Sequence, residues 1–270
     1  QSLYYETFLA ERPEAESWVQ RKEDGSIRVR GECSCRWRPC VGCQEFLAYL
    51  KVVCRVGVRE VGLSGFHFED AHAQPCYCDR CLAQFRRWLT ARNPEPRRRF
   101  GLPGLAHVRL PRYREAAPVH DPLYQEWIRF RCEQLSSALG QLHDCVKSLD
   151  PEAVVLTNPA FPRQADWANR LSLDPVSYGR HTDLMFADAR RPCAEDGSFP
   201  RKEGEFIVSQ VRACKLGRAC GYRVVSTAGE RDAKGPTVPD TPDKIALSVL
   251  ESAAFGAVPG NNWALRPAGG

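Results

Sequence analysis

No stretch of the chain approaches the ~20 consecutive apolar residues that a membrane helix needs, so no membrane partner is expected. The opening Gln1-Ser2-Leu3-Tyr4-Tyr5 has no basic segment leading into an apolar core, so no signal peptide is visible. It also lacks an initiator Met, which points to a fragment or a processed product. A Gly-rich phosphate loop, a G-x-S-x-G elbow and a His-Glu metalloprotease motif are all missing, which removes the commonest sequence signs of nucleotide, esterase and zinc-protease chemistry. There is no internal repeat and no low-complexity segment. Charge of one sign is not concentrated either. The net +5 is dispersed apart from Arg97-Arg98-Arg99 in a Pro-rich stretch, where a solvated loop is a better reading than a nucleic-acid footprint, normally a continuous basic stripe.

What is present is an ordinary globular composition. The 270 residues are 43% hydrophobic and 26% charged, enough for one large domain over residues 1–270. Thirteen cysteines are many, but the number is odd and seven fall into two tight clusters. A secreted disulfide scaffold would be shorter and more evenly cross-linked, so a reducing, cytoplasmic setting with metal-bound thiolates fits better.

Apolar runs sorted by length give strands alternating with helices. Leu3–Leu9 reads as a strand, followed by a polar loop turning at Asp24-Gly25. Gln44–Val56 has helical spacing closed by Gly57, Val61–Phe68 reads as a strand, and Leu82–Leu89 lies in a helix within Asp79–Arg92. Residues 93–118 form a loop insertion. Asp121-Pro122 then starts a long helix with an N-cap and a first-turn proline, ending near Leu149. Strands at Ala153–Asn158, Leu184–Phe186, Tyr222–Thr227 and Ala257–Ala264 follow, with helices at Glu205–Ala219 and Thr241–Phe255. Apolar strands each followed by a helix predict a parallel sheet covered on both faces. Six strand–helix units are visible where a closed (β/α)8 TIM-type barrel has eight, so the first two units are expected to be missing or the sheet open, with Leu3–Leu9 as an edge.

Cys76-Tyr77-Cys78-Asp79-Arg80-Cys81 places three thiols in one short loop ahead of a helix. Such spacing lets one loop wrap a zinc ion, and the helix N-terminus favours thiolates. A fourth ligand must come from Cys33, Cys35, Cys40 or Cys43, with Cys40 favoured and Cys43 next. Four thiolates leave no open position, so this Zn2+ would be structural. His72 beside the loop reads as a polar loop residue.

Immediately upstream, the strand ends in His67-Phe68-Glu69-Asp70. Catalytic groups of α/β folds gather at strand C-termini, and alternation puts Glu69 with His67 on one face and Phe66 with Phe68 on the other. Asp188, Glu230, Asn158 and the pair Asn262-Trp263 occupy equivalent strand-end positions. Glycoside hydrolysis needs two carboxylates, polar groups for hydroxyls and an aromatic platform, and this inventory supplies them. Trp18, Trp88, Trp127 and Trp167 read as core or interface residues.

The stretch from Phe68-Glu69-Asp70 through Pro75-Cys76-Tyr77-Cys78-Asp79-Arg80-Cys81 to Phe85-Arg86-Arg87-Trp88-Leu89 resembles the β-galactosidases of glycoside hydrolase family 42 and uncharacterised barrels related to them. The resemblance implies that Glu69 is the acid/base at the end of the fourth barrel strand, and that Cys40, six residues before Phe46, completes the zinc site. Ser248 to Arg266 is similar to the family's last helix–strand unit. Phe68 stands where the family has an asparagine, and Glu230 or Asp188 would serve as second carboxylate. The expected function is retaining hydrolysis of an O-glycosidic bond, with His67, Asp70, Asn158, Asn262 and Trp263 binding a carbohydrate, in a chain that could self-associate. A non-catalytic carbohydrate-binding or structural barrel is the second reading, and a zinc-stabilised nucleic-acid binder using the Arg97–Arg99 loop the third.

Overall fold

A computed structural model describes residues 12–29, 37–158, 167–187, 211–227 and 242–260. Five parallel strands form one sheet in the order β1 (Gly65–Phe68), β2 (Val154–Thr157), β3 (Leu184–Ala187), β4 (Arg223–Thr227) and β5 (Val258–Gly260). Chain order equals spatial order, so each connection climbs back over the sheet through helical segments. The helices are α1 (Gln44–Val56), α2 (Asp79–Arg92), α3 (Pro96–Phe100), α4 (Pro122–Leu149), α5 (Trp167–Leu171), α6 (Pro175–Gly179), α7 (Val211–Cys220) and α8 (Pro242–Ala254). The expected parallel α/β organisation is therefore present, with five strands among the described residues. The expected strand Leu3–Leu9 lies outside them.

Strand alternation sorts the side chains. Phe68, Val155, Met185 and Val224 are buried and meet Phe46, Leu47 and Leu50 of α1 and Leu135, Leu139 and Leu142 of α4 in the main core. His67, Leu156, Leu184, Phe186 and Val225 alternate with these core-facing residues and are less covered. Register between β1 and β2 leaves no room for a side chain at Gly65. A Cβ there would lie 2.6 Å from the Val154 carbonyl oxygen and 3.2 Å from its nitrogen. Gly65→Ala is expected to destabilise the protein by ~1–3 kcal/mol through displacement of β1, measurable by urea unfolding.

The end of α1 differs from the sequence expectation. Gly57 does not stop the helix; it stays right-handed and leads into a π-helical turn, Gly57–Val61, closed by Gly62 at φ 75°. Gly57 is required for a different reason, because a Cβ would come within 2.6 Å of the Phe66 ring. Strand β1 consequently starts at Gly65, not at Val61.

Asp121 caps α4 as its sequence position implies, accepting from the Tyr124 amide at 3.0 Å. Helix α4 also organises a second core of Phe85, Leu89, Leu105, Val108, Tyr124, Trp127 and Phe130, which pins the 93–118 segment in place. That segment contains the short helix α3, where the Arg97–Arg99 knot sits. Two of its three guanidiniums are held internally: Arg98 on Glu95, and Arg99 on Glu126, a buried α4 carboxylate that also pairs with Arg129.

Candidate functional site

Two loops meet ahead of two helices. Cys40 precedes α1, whose N-cap is Cys43, and Cys78 is itself the N-cap of α2. The loops are brought together by a small antiparallel ribbon with bridges Val19–Pro39, Arg21–Ile27 and Val29–Trp37. From it the Cys40 amide donates to the Trp18 carbonyl at 2.7 Å, and the Tyr77 amide to Arg21 at 2.9 Å. The result gathers Cys40, Cys76, Cys78 and Cys81 so that all four sulfurs lie within 4.8 Å of one another.

Individual separations are 3.5 Å for Cys40–Cys81 and 3.9 Å for Cys40–Cys78. A tetrahedron with metal–sulfur bonds of ~2.3 Å has edges of roughly 3.8 Å, so the donor set and its spacing fit a four-coordinate thiophilic ion. Hydrogen bonds from Cys40, Cys76 and Cys81 hold the Cys78 thiol far below its ordinary range. Cys40 and Cys81 move up, because their protons serve the neighbouring thiolates. Cys43 stays apart: burial pushes it up to about 11, and its sulfur contacts Glu45 Oε2 at 3.2 Å. Of the four upstream candidates Cys40 is thus the one that joins, while Cys33 and Cys35 lie outside the described residues. His72 is buried and is not a member of the cluster.

The second half of the site begins where β1 ends. Glu69 and His67 share the less covered face, with His67 Nε2 3.6 Å from Glu69 Oε2 and both side chains about one-third exposed. Asn158, at the end of neighbouring β2, donates from Nδ2 to Glu69 Oε1 at 3.3 Å. Its backbone is fixed by hydrogen bonds to Phe68 and Ala71, so the amide is presented from a rigid strand end. The His67 ring lies 5.7 Å from that of Phe186 on β3. Three of the expected residues are therefore brought together.

Asp70 turns elsewhere. It adopts φ 50°, unusual for a non-glycine residue, and its carboxylate faces Arg38 Nη1 at 3.6 Å, with both side chains nearly buried. Arg38 lies two residues before Cys40, so this pair ties the thiol loop to the turn that carries Glu69. Sequence reasoning missed Arg38, since nothing in a local pattern marks an arginine that reaches a strand end. It also missed Gln134 of α4, whose Nε2 approaches Cys81 Sγ at 3.9 Å. Asp188, Glu230, Asn262 and Trp263 lie outside the described residues. A narrow open cleft between α1 and α4 touches Glu69, Asp70 and His72 at its rim, but its body is lined by Phe46, Leu47, Leu50, Leu135, Leu139 and Leu142. It lies on the core side of the sheet and is too apolar to suit a sugar.

Solved structures of β-galactosidases and of a β-amylase share this fold. The β-galactosidase from Bacillus circulans sp. alkalophilus matches with a TM-score of 0.70 at 17% identity, over 97% of this chain and 39% of its own. Gan42B, a GH42 β-galactosidase from G. stearothermophilus, matches at 0.70 and 16% identity over 97% and 40%. The catalytic domain of a β-amylase from Paenibacillus polymyxa matches at 0.62 and 10% identity over 94% and 70%. The chain spans about 40% of the length of these β-galactosidases. No family sequence profile and no curated protein sequence matches the chain.

Proposed function

We propose that this chain is a glycoside hydrolase-like domain in which Glu69 is the general acid/base for cleavage of an O-glycosidic bond. The observation carrying this reading is the Glu69–Asn158–His67 grouping at the strand ends of a sheet whose structural neighbours include β-galactosidases and a β-amylase. In this reading the five strands belong to a (β/α)8-type wall, and the less covered face points toward its axis. Glu69 would protonate the leaving glycosidic oxygen, with Asn158 fixing its orientation. His67 and Phe186 would line the sugar's approach.

Retention of configuration requires a second carboxylate about 5–5.5 Å from Glu69, acting as nucleophile. Asp188 directly follows β3 and Glu230 comes shortly after β4, so these are the proposed partners, with Asn262 and Trp263 following β5 as sugar contacts. Asp70 is proposed to set the turn through Arg38 and to meet substrate only at its edge. The ion proposed for Cys40, Cys76, Cys78 and Cys81 is Zn2+, bound in a closed structural site that supplies rigidity and no open position for chemistry.

The test is hydrolysis of a panel of aryl and unactivated glycosides, with NMR of the first-formed anomer. Turnover with retained configuration is expected. Binding of oligosaccharides without any turnover would move the assignment to a carbohydrate-binding barrel.

A further inference from the structure

Two guanidinium groups beside the thiol cluster have no carboxylate within ion-pairing distance among the described residues. Arg28 donates from Nη1 to Gln74 Oε1 at 3.1 Å and from Nη2 to the Pro75 carbonyl at 3.0 Å, gripping the two residues ahead of Cys76. Arg131, on α4, is only 4% exposed. It donates to the Asn169 carbonyl at 2.5 Å and weakly to Ser172 Oγ at 3.4 Å, and its guanidinium carbon sits 4.3 Å from the Trp127 ring centroid. Each of those partners is neutral. The Nε atoms of both arginines are buried without an acceptor. A buried cation held only by neutral groups is costly, because dipoles and a ring face replace hydration incompletely.

Arg131 lines a small void whose other walls include Cys40, Cys76, Cys81 and Gln134. Four thiolates around a divalent cation leave an excess of two negative charges, itself buried. We propose that the half-buried Arg28 and the buried Arg131 are the counter-charges of the metal–thiolate centre, each offsetting one of those charges, so that metal binding and the placement of the two guanidiniums stabilise one another. Gln134 adds an N–H···S contact to Cys81 and is itself held by Gln84, which is anchored on the Gly42 carbonyl. Arg80 also faces the sulfurs: burial lowers its guanidinium, but the charges on Cys43, Cys40 and Cys78 outweigh this and raise it. It donates to the Ser17 carbonyl at 3.4 Å and reaches solvent, so it serves as an outer, partly screened contributor. The electrostatics tie Arg28 to the cluster directly, whereas for Arg131 the tie is its shared cavity wall with three of the thiols. Burial lowers the Arg28 guanidinium, and the charge on Cys76 is the largest influence opposing it. Burial likewise lowers Arg131, to about 10.

The inference rests on the metal reading, and the experiment separates the two. Metal-free protein is titrated with Zn2+ against a chromogenic chelator, and with Co2+ to follow the thiolate charge-transfer band. A parent chain that takes up neither ion overturns the metal reading and this inference with it. With a metal-binding parent, Arg131→Met and Arg28→Met should each weaken Zn2+ binding by ~10–100-fold, the usual effect of losing an outer partner. Arg131→Lys and Arg28→Lys should stay within about threefold, since Lys keeps the charge and loses only the planar fork. In the metal-free form Arg131→Met should unfold at the same temperature as the parent or higher, because an uncompensated buried charge has been removed. Met variants that bind Zn2+ as tightly as the parent would overturn the assignment. So would Lys variants as impaired as the Met variants, which would mark the fork to Asn169 and Ser172, or to Gln74 and Pro75, as the important feature. Should a Met variant fail to fold, the Lys variants decide alone.

Discussion

Replacing Glu69 by Gln is expected to lower turnover of an unactivated glycoside by ~10²–10⁴-fold, the range for loss of general acid–base assistance. The substitution is nearly isosteric, and Gln Oε1 can still accept from Asn158 Nδ2, now 3.3 Å from the carboxylate. The side chain is about one-third exposed, so the fold and the metal content should survive. What disappears is a proton that can be delivered to the departing oxygen. Leaving groups that need no proton should therefore suffer much less in the glycosylation step, and the ratio between the two substrate types is the diagnostic quantity. A nonspecific structural defect would depress both equally. Unchanged turnover of the unactivated glycoside would falsify the role of Glu69.

Loss of the thiol-bound ion should have the larger effect on stability. Structural Zn2+ binds with an apparent ~10–16 kcal/mol in small zinc-finger peptides, and that binding energy is folding energy. Part is returned by metal contacts in the unfolded chain, so a loss of at least ~4 kcal/mol is expected for Cys78→Ala. For a chain of this size that corresponds to a fall in Tm of roughly 10 °C or more. Cys78 is the informative position because it contacts Cys40 across the two loops and begins α2. Freshly purified parent should carry about one Zn2+ per chain, and prolonged chelation should reproduce the variant's Tm. Metal analysis finding no zinc in unchelated protein, or a Cys78→Ala variant as stable as the parent, would remove the structural role.

Much of this arrangement is legible in the amino-acid sequence. The bounds of α1 and α2 and the start of α4 followed from apolar spacing and the Asp121-Pro122 cap, because those signals are local and span several turns. Neighbouring loops at one end of a parallel sheet are near in space, so one of the four upstream cysteines is expected to reach. Cys40 is singled out by the family resemblance, through its spacing before Phe46, and the sulfur distances agree. Other features depended on tertiary contact. Gly57 looks like a helix stop, but its role is to admit the Phe66 ring, which no window of sequence shows. The short helices α5 and α6 carry too few turns for periodicity to register. Arg28, Arg38 and Arg131 are ordinary arginines in sequence; only the fold reveals that Arg38 meets Asp70, and that the other two face no carboxylate among the described residues.

The order of the ligands along the chain bears on how the protein is made. All four thiols lie between Cys40 and Cys81, and α1, β1 and Glu69 fall inside the loop that they close. During synthesis this stretch leaves the ribosome well before β2, the strand that β1 must eventually pair with, has been translated. An ion captured at that stage would hold β1 and its carboxylate in a closed, local unit while the partner strand is still to come. Distant parallel pairing is slow because its loop-closure entropy is met before any contact rewards it. With the ion bound, the closure around β1 would be achieved early by sulfur and metal, leaving α4 and β2 to dock onto a preformed edge.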